Sequence, residues 1–205
     1  MSVRDKTAAS LPVEIVARAR GMRSAEILDG LRAWYRRGGQ GMWALYPEFR
    51  TEASWDGRGQ ERYIDLLAVG VSGVTGFQRI AYEIKVSRAD FRREHALKVR
   101  PALYHTDRFY YATPPGLIDP AEVPVYAGLV EVWRDRRPRR KNLQYDGCWV
   151  YHGQVAPDSR ECWFWRIRVP APAREAEPPT RSFIAALARQ RAELTWEAQA
   201  GGAEG

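Results

Sequence analysis

The order of patterns along the chain predicts an α/β fold: a mixed β-sheet flanked by helices, with a β-rich C-terminal extension and a terminal helix. Three observations carry this. Residues 63–69 (YIDLLAV) and 80–86 (IAYEIKV) are apolar runs of strand type, joined by a turn containing Gly70, Ser72, Gly73 and Gly76, which marks a hairpin. After Ser87 the pattern switches to that of a helix, RADFRREHALKVRPALYH. Two further strand runs follow at 107–113 and 126–133. A β–α–β–β order needs a crossover helix and therefore a mixed sheet. At 205 residues the chain suits one domain of ordinary size with a tail.

The elements follow in order. Leu11-Pro12 opens a short helix over 13–18, proline being tolerated in a first turn, and Gly21 ends it. Ser24 caps a second helix, AEILDGLRAWYRRGG, with Ile27, Leu28, Leu31 and Trp34 at helical spacing and Arg36, Arg37 and Gly38 as its end signal. Residues 42–53 (MWALYPEFRTEA) read as a strand with a proline irregularity. Leu45 and Phe49 fall on one face, and Glu48, Arg50 and Glu52 on the other. The loop SWDGRGQER, with Asp56-Gly57 as turn signal, would carry Glu48 or Glu52 towards Asp65 if it closes a hairpin. Ser87 is the N-cap of the crossover helix, Asp90 lies in its first turn, and Phe91, Ala96 or His95, Val99, Ala102 and Leu103 form an imperfect apolar stripe. Pro101 is expected to kink or restart that helix. The strand at 107–113 is stopped by Pro114-Pro115-Gly116.

Beyond the core, the basic run at 134–141 (RDRRPRRK) reads equally as a solvated hairpin loop and as a phosphate-contacting one. Strands at 148–151 and 162–169 extend the sheet, their tryptophans reading first as packing and second as a base-stacking platform. PAPAREAEPPT reads as a linker, and 182–197 as an amphipathic helix with Phe183, Ile184, Leu187 and Leu194 that docks on the domain or on a partner. The layout is a segment 1–23, an α/β domain 24–170 with its core at 42–133, and 171–205 as linker, helix and disordered tail.

The apolar share of 45% and aromatic share of 12% exclude wholesale disorder. With 32 Lys plus Arg against 25 Asp plus Glu the net charge is +7, and the pI is near 9.6. That balance favours a polyanionic partner such as nucleic acid, although an arginine-rich composition weakens the inference. No apolar run approaches the roughly 20 residues that cross a bilayer. The opening residues MSVRDKTAAS lead into no signal-peptide core, so a cytoplasmic protein is expected. Cys148 and Cys162 stand apart without zinc-type spacing and read as reduced, incidental thiols.

The chemistry sits in the hairpin. Asp65 and Glu83 each place a carboxylate inside an apolar strand, where it is costly unless paired or bound to a metal. Period-two alternation puts Glu83 and Lys85 on one face and Ile80, Tyr82, Ile84 and Val86 on the other. Two close carboxylates repel unless a cation lies between them. Magnesium suits oxygen ligands, and phosphodiester hydrolysis uses such an assembly. Lys85 would orient or deprotonate a water, or stabilise charge on the transition state. An ion pair of Lys85 with Glu83 or Asp65 fits the spacing equally well.

Asp65, then Glu83-Ile84-Lys85, on consecutive strands before a helix resembles the PD-(D/E)XK nuclease superfamily. The ordered set EIKVSRADFRRE, Lys98, DRFYYATPPGLI and GLVEV is similar to the MmcB-like DNA-repair nuclease family, with its E-[IV]-K-S-S-x-x-D-F and D-R-F-x-F-A motifs. The resemblance runs from about Glu48 to Val132. It implies a restriction-endonuclease-like core and a Mg2+-dependent DNA nuclease, with Mn2+ as substitute, acting in DNA repair or in phage or mobile-element DNA processing. It implies metal binding by Asp65 and Glu83, catalysis with Lys85, and a supporting acid that maps best to Glu48, with Glu52 and Glu26 as alternatives. Lys98 takes the place of the family's helix lysine, and Arg88, Arg92 and Arg100 beside it suit DNA phosphates. The chain departs from the pattern at Val86, where the family has Ser. Further departures are an apparent two-residue insertion before Lys98, Pro101 within the helix, and the missing Gln of the Gln-x-x-x-Tyr motif of RecB-like nucleases. A non-cleaving DNA-binding module that keeps the fold is the alternative. A homodimer or protein partner engaged through the C-terminal region is a further expectation.

Overall fold

The computed structural model describes residues 11–37, 42–51, 62–93, 96–136, 143–145, 148–152, 161–190 and 193–194. Its strands are β1 (Trp43–Thr51), β2 (Arg62–Gly70), β3 (Arg79–Ile84), β4 (Arg108–Thr113), β5 (Gly128–Arg136), β6 (Leu143–Tyr145), β7 (Cys148–His152), β8 (Glu161–Val169) and β9 (Glu193–Leu194). Its helices are α1 (Val13–Ala19), α2 (Ser24–Arg37), α3 (Arg88–Arg92), α4 (Ala96–His105) and α5 (Arg181–Arg189). The strands form one sheet in the order β6-β7-β8-β5-β4-β3-β2-β1-β9. β1, β2 and β3 make an antiparallel meander, β3, β4 and β5 run parallel, and β8 returns antiparallel to β5. The fold is thus α/β with a mixed sheet flanked by helices. Among the described residues no helix is long and apolar enough to cross a membrane.

Both faces of the sheet are covered, which explains why its central strands are apolar on both sides. On one face Ile27, Leu31 and Tyr35 of α2 pack on Leu66, Ile80, Tyr82, Ile84, Val132 and Trp165. On the other, Phe91, Val99, Ala102, Phe183 and Ala186 from α3, α4 and α5 pack on Phe49, Leu67, Ala81, Phe109, Tyr111 and Leu129. α1 lays Ile15 and Ala19 against Trp133 and Phe164 at the far side. Trp133 and Trp165 are fully buried, so these tryptophans serve packing. The Trp165 indole donates to the Gly30 carbonyl at 2.8 Å, tying α2 to β8.

Gly30 marks the closest approach of helix and sheet. A Cβ there would stand 2.4 Å from Val132 Cγ1 and 3.0 Å from the Trp163 ring. Gly30→Ala is therefore expected to destabilise by about 1–3 kcal/mol, overpacking outweighing the roughly 1 kcal/mol of helix propensity gained. The midpoint of urea unfolding measures it. A raised midpoint would show that α2 can back away at no cost.

Several expectations are corrected. Leu45 and Phe49 pack on opposite faces of the sheet, because Glu48 between them has φ +48°, which breaks the alternation. The crossover holds two helices, α3 ending at Arg92 and α4 beginning at Ala96, and α4 is continuous across Pro101, so the helix does not restart there. The basic run begins inside β5, which continues to Arg136; residues 137–141 lie outside the described residues.

The proline-rich stretch is not a free linker. Ala171 is buried, its carbonyl accepts from Arg108 at 2.7 Å, Arg174 N donates to the Asp107 carbonyl, and Arg79 donates to the Glu177 carbonyl. A segment poor in ladder donors is thus fastened across the sheet by arginines. The terminal helix docks on the domain through Phe183, whose ring meets Phe49 at 5.4 Å. It ends at Arg189, and Leu194 pairs instead with Ala44 in the β9–β1 ladder. The proposed tail and the loop around Asp56-Gly57 lie outside the described residues.

Candidate active site

The three strands of the meander bring the predicted acids into one row. Pro47 pairs with Leu66 and Phe49 with Ile64, so Glu48 stands opposite Asp65. Continuing the β2–β3 register one step beyond Leu66↔Tyr82 sets Asp65 beside Glu83. Glu83 in turn pairs with Tyr111 on β4. The row lies where the parallel strands β3 and β4 approach their C-terminal ends, the end at which open α/β sheets bind ligands.

Each side chain is positioned by something specific. One carboxylate oxygen of Asp65, Oδ2, accepts from the Ile84 backbone N–H at 2.6 Å, which fixes the group against β3 next to Glu83. Lys85 Nζ donates to Glu83 Oε1 at 2.9 Å and lies 3.5 Å from Asp90 Oδ2. Its side chain is only 6% exposed, whereas that of Glu83 is 21% exposed. Asp90 stands in the first turn of α3, where Ser87 Oγ accepts from its backbone N–H at 3.1 Å as N-cap. The cap sets the helix start, and the helix start delivers a second acid to Lys85.

Glu48 is exposed and occupies the left-handed region, which a non-glycine residue enters only at a cost of about 1–3 kcal/mol. Beside the kink, one side chain meets both the Glu48 carbonyl and the Arg50 N–H. Gln190 Nε2 donates to the Glu48 carbonyl at 3.3 Å, and Gln190 Oε1 accepts from Arg50 N at 3.0 Å. Sequence reasoning missed Gln190, because nothing local ties a residue after the last helix to the first strand. Gln190→Ala is expected to cost about 1 kcal/mol for the two exposed hydrogen bonds. If Glu48 serves the site, activity at the row should fall further than stability does. Parallel loss of the two would make Gln190 merely structural.

The other candidates divide. Glu26 sits on α2, on the face opposite Glu83, and is held by Arg134 at 2.6 Å and by the Arg23 backbone N–H at 2.9 Å, so it does not join the row. Glu52, and the side chains of Lys98 and Arg100, lie outside the described residues. Arg88 is engaged within the chain: it makes a forked pair with the Glu122 carboxylate and donates to the Leu117 carbonyl at 3.2 Å. Arg92 is exposed on α3. Among the described residues no group of three acidic, histidine or cysteine side chains converges closely enough to hold a metal ion.

That arrangement still suits one class of ion. The donors are carboxylates without histidine or cysteine, and Asp65 and Glu83 are neighbours. Mg2+ is commonly held by one or two carboxylates with waters and substrate phosphates completing its shell. The Asp65–Glu83 pair fits that demand without a closed cage of protein ligands. Comparison with protein-family models, curated proteins and solved structures finds no match to this chain.

Proposed function

We propose that this chain is a Mg2+-dependent deoxyribonuclease of PD-(D/E)XK type, with a restriction-endonuclease-like core, that hydrolyses DNA phosphodiester bonds in repair or mobile-element DNA processing. The observation that carries it is the fastening of Asp65 against β3 immediately beside Glu83 and Lys85. The meander β1–β3, the crossover through α3 and α4, and the parallel return of β4 support the same reading. Asp65 and Glu83 would hold the metal, with Glu48 as the supporting acid. A bound Mg2+ supplies polarisation of the phosphate and acidification of a water. Lys85, almost buried, presents its ammonium at the acids and would orient that water or offset charge developing on the phosphate. The net charge of +7 and the exposed Arg92 and Arg93 at the end of α3 suit a DNA backbone, read without base specificity.

A DNA-binding module that does not cut is the second reading, and the Lys85–Glu83 ion pair favours it, since that pair alone justifies both residues. Incubation of wild type and Asp65→Asn with single-stranded, duplex, nicked and branched DNA in Mg2+ or Mn2+ separates the two. Asparagine keeps an acceptor for the Ile84 N–H, so the fold should persist. Cleavage by wild type is expected, with a loss of about 10²–10⁴-fold in Asp65→Asn. Salt-sensitive DNA binding with no cleavage of any substrate would establish the module instead.

A further inference from the structure

A second feature lies on the opposite face of the sheet from Lys85. Between the last turns of α2, the start of β1 and the first halves of β3 and β4 is a cavity of about 240 Å³. Five rings wall it: Trp34, Tyr35, Trp43, Tyr82 and Tyr110. Tyr82 and Tyr110 are stacked at 5.7 Å, and the Tyr35 and Trp43 rings meet edge-on at 4.9 Å, so the walls pack on one another. The two buried hydroxyls satisfy each other, Tyr35 to Tyr82 at 2.8 Å, and burial keeps both protonated.

The polar lining residues are Gln78 and Arg108. Arg108 donates one N–H to the Ala171 carbonyl at 2.7 Å, and it has no carboxylate partner among the described residues. A guanidinium carries five donors and is costly to desolvate without an anion. A half-buried arginine facing an aromatic cavity without an acid therefore matches a ligand that brings its own negative charge. Ring walls suit a flat heterocycle, since every base offers a π-face. The Gln78 amide offers both a donor and an acceptor to the edge of such a ring.

We propose that this cavity is a nucleoside monophosphate site, taking the base among the rings and the phosphate on Arg108. It lies apart from the acid row and does not depend on the nuclease reading.

Titration of the full chain with dAMP and dTMP, followed through the indole N–H signals of Trp34 and Trp43, tests it; Trp43→Phe assigns the signals. Saturable shifts at both indoles are expected below about 1 mM ligand. The matching nucleosides should bind about tenfold more weakly, as should the nucleotides to Arg108→Gln, because hydrogen bonds to charged groups are the stronger ones. Asp65→Asn should bind as wild type does. Absence of saturable shifts at Trp34 and Trp43 overturns the site, as does equal affinity of nucleotide and nucleoside. Inorganic phosphate producing the same shifts would reduce it to an anion site and overturn the role of the rings. Should Arg108→Gln unfold through loss of the Ala171 contact, the nucleotide-to-nucleoside comparison on wild type decides alone.

Discussion

Lys85→Met is expected to lower Mg2+-dependent cleavage by about 10²–10⁴-fold and to destabilise the protein, while Glu83→Gln combined with Lys85→Met regains the stability and none of the cleavage. The argument starts from the partners. Lys85 is 6% exposed and touches Glu83 at 2.9 Å and Asp90 at 3.5 Å. Removing the ammonium leaves two carboxylates without it. A fully buried orphan charge costs about 3–5 kcal/mol, but Glu83 is 21% and Asp90 47% exposed, so about 1–3 kcal/mol is expected. Neutralising Glu83 as well removes most of that penalty. A structural ion pair predicts that the double variant behaves as wild type in every assay. Chemistry at the site predicts recovered stability without recovered cleavage. Undiminished cleavage by Lys85→Met would end the assignment of a catalytic role to Lys85.

How far the sequence could be read depends on how local each signal is. The hairpin and its acids were legible because a carboxylate in an apolar strand is anomalous within seven residues, and Gly70, Gly73 and Gly76 mark the turn. Ser87 and Asp90 were legible as a capped helix start for the same reason. The end of α3 at Arg92 was not, because Pro101 is the stronger breaker in that stretch of sequence. Nothing in LYPEFR announces that Glu48 adopts φ +48°, a conformation usually signalled by glycine, so alternation alone puts Leu45 and Phe49 on one face where the structure separates them. Leu194 continues a helical stripe in sequence, but tertiary pairing with Ala44 makes it strand. The aromatic cavity joins α2, β1, β3, β4, β5 and β8, and no window along the chain holds more than part of it.

The Glu131–Arg166 pair is the clearest case of chemistry visible only in three dimensions, and Glu131→Ala is expected to be the most destabilising single change, by about 3–5 kcal/mol. Glu131 is 2% and Arg166 6% exposed, and β5 and β8 pair them directly. Arg166 Nε donates to Glu131 Oε2 at 2.9 Å, and the Gly116 backbone N–H donates to Glu131 Oε1 at 2.9 Å. Truncation would leave a buried guanidinium without its anion and a loop amide without its acceptor. Thermal unfolding should shift down by roughly 6–20 °C for a chain of this size. Glu131→Leu with Arg166→Met should recover part of this: replacing the buried pair by apolar groups removes its desolvation cost along with the attraction, while Arg168, 3.9 Å from the carboxylate, and the Gly116 N–H still lose Glu131.

The double variant also isolates the loop. Gly116 is next to Leu117, whose carbonyl receives Arg88 at the start of α3, and α3 carries the Asp90 that contacts Lys85. A double variant that regains its melting temperature while the contact between α3 and Lys85 loosens would lose cleavage without losing stability. Glu131 would then position the acid row through Gly116, in addition to neutralising Arg166. Recovery of both properties together would confine it to the core.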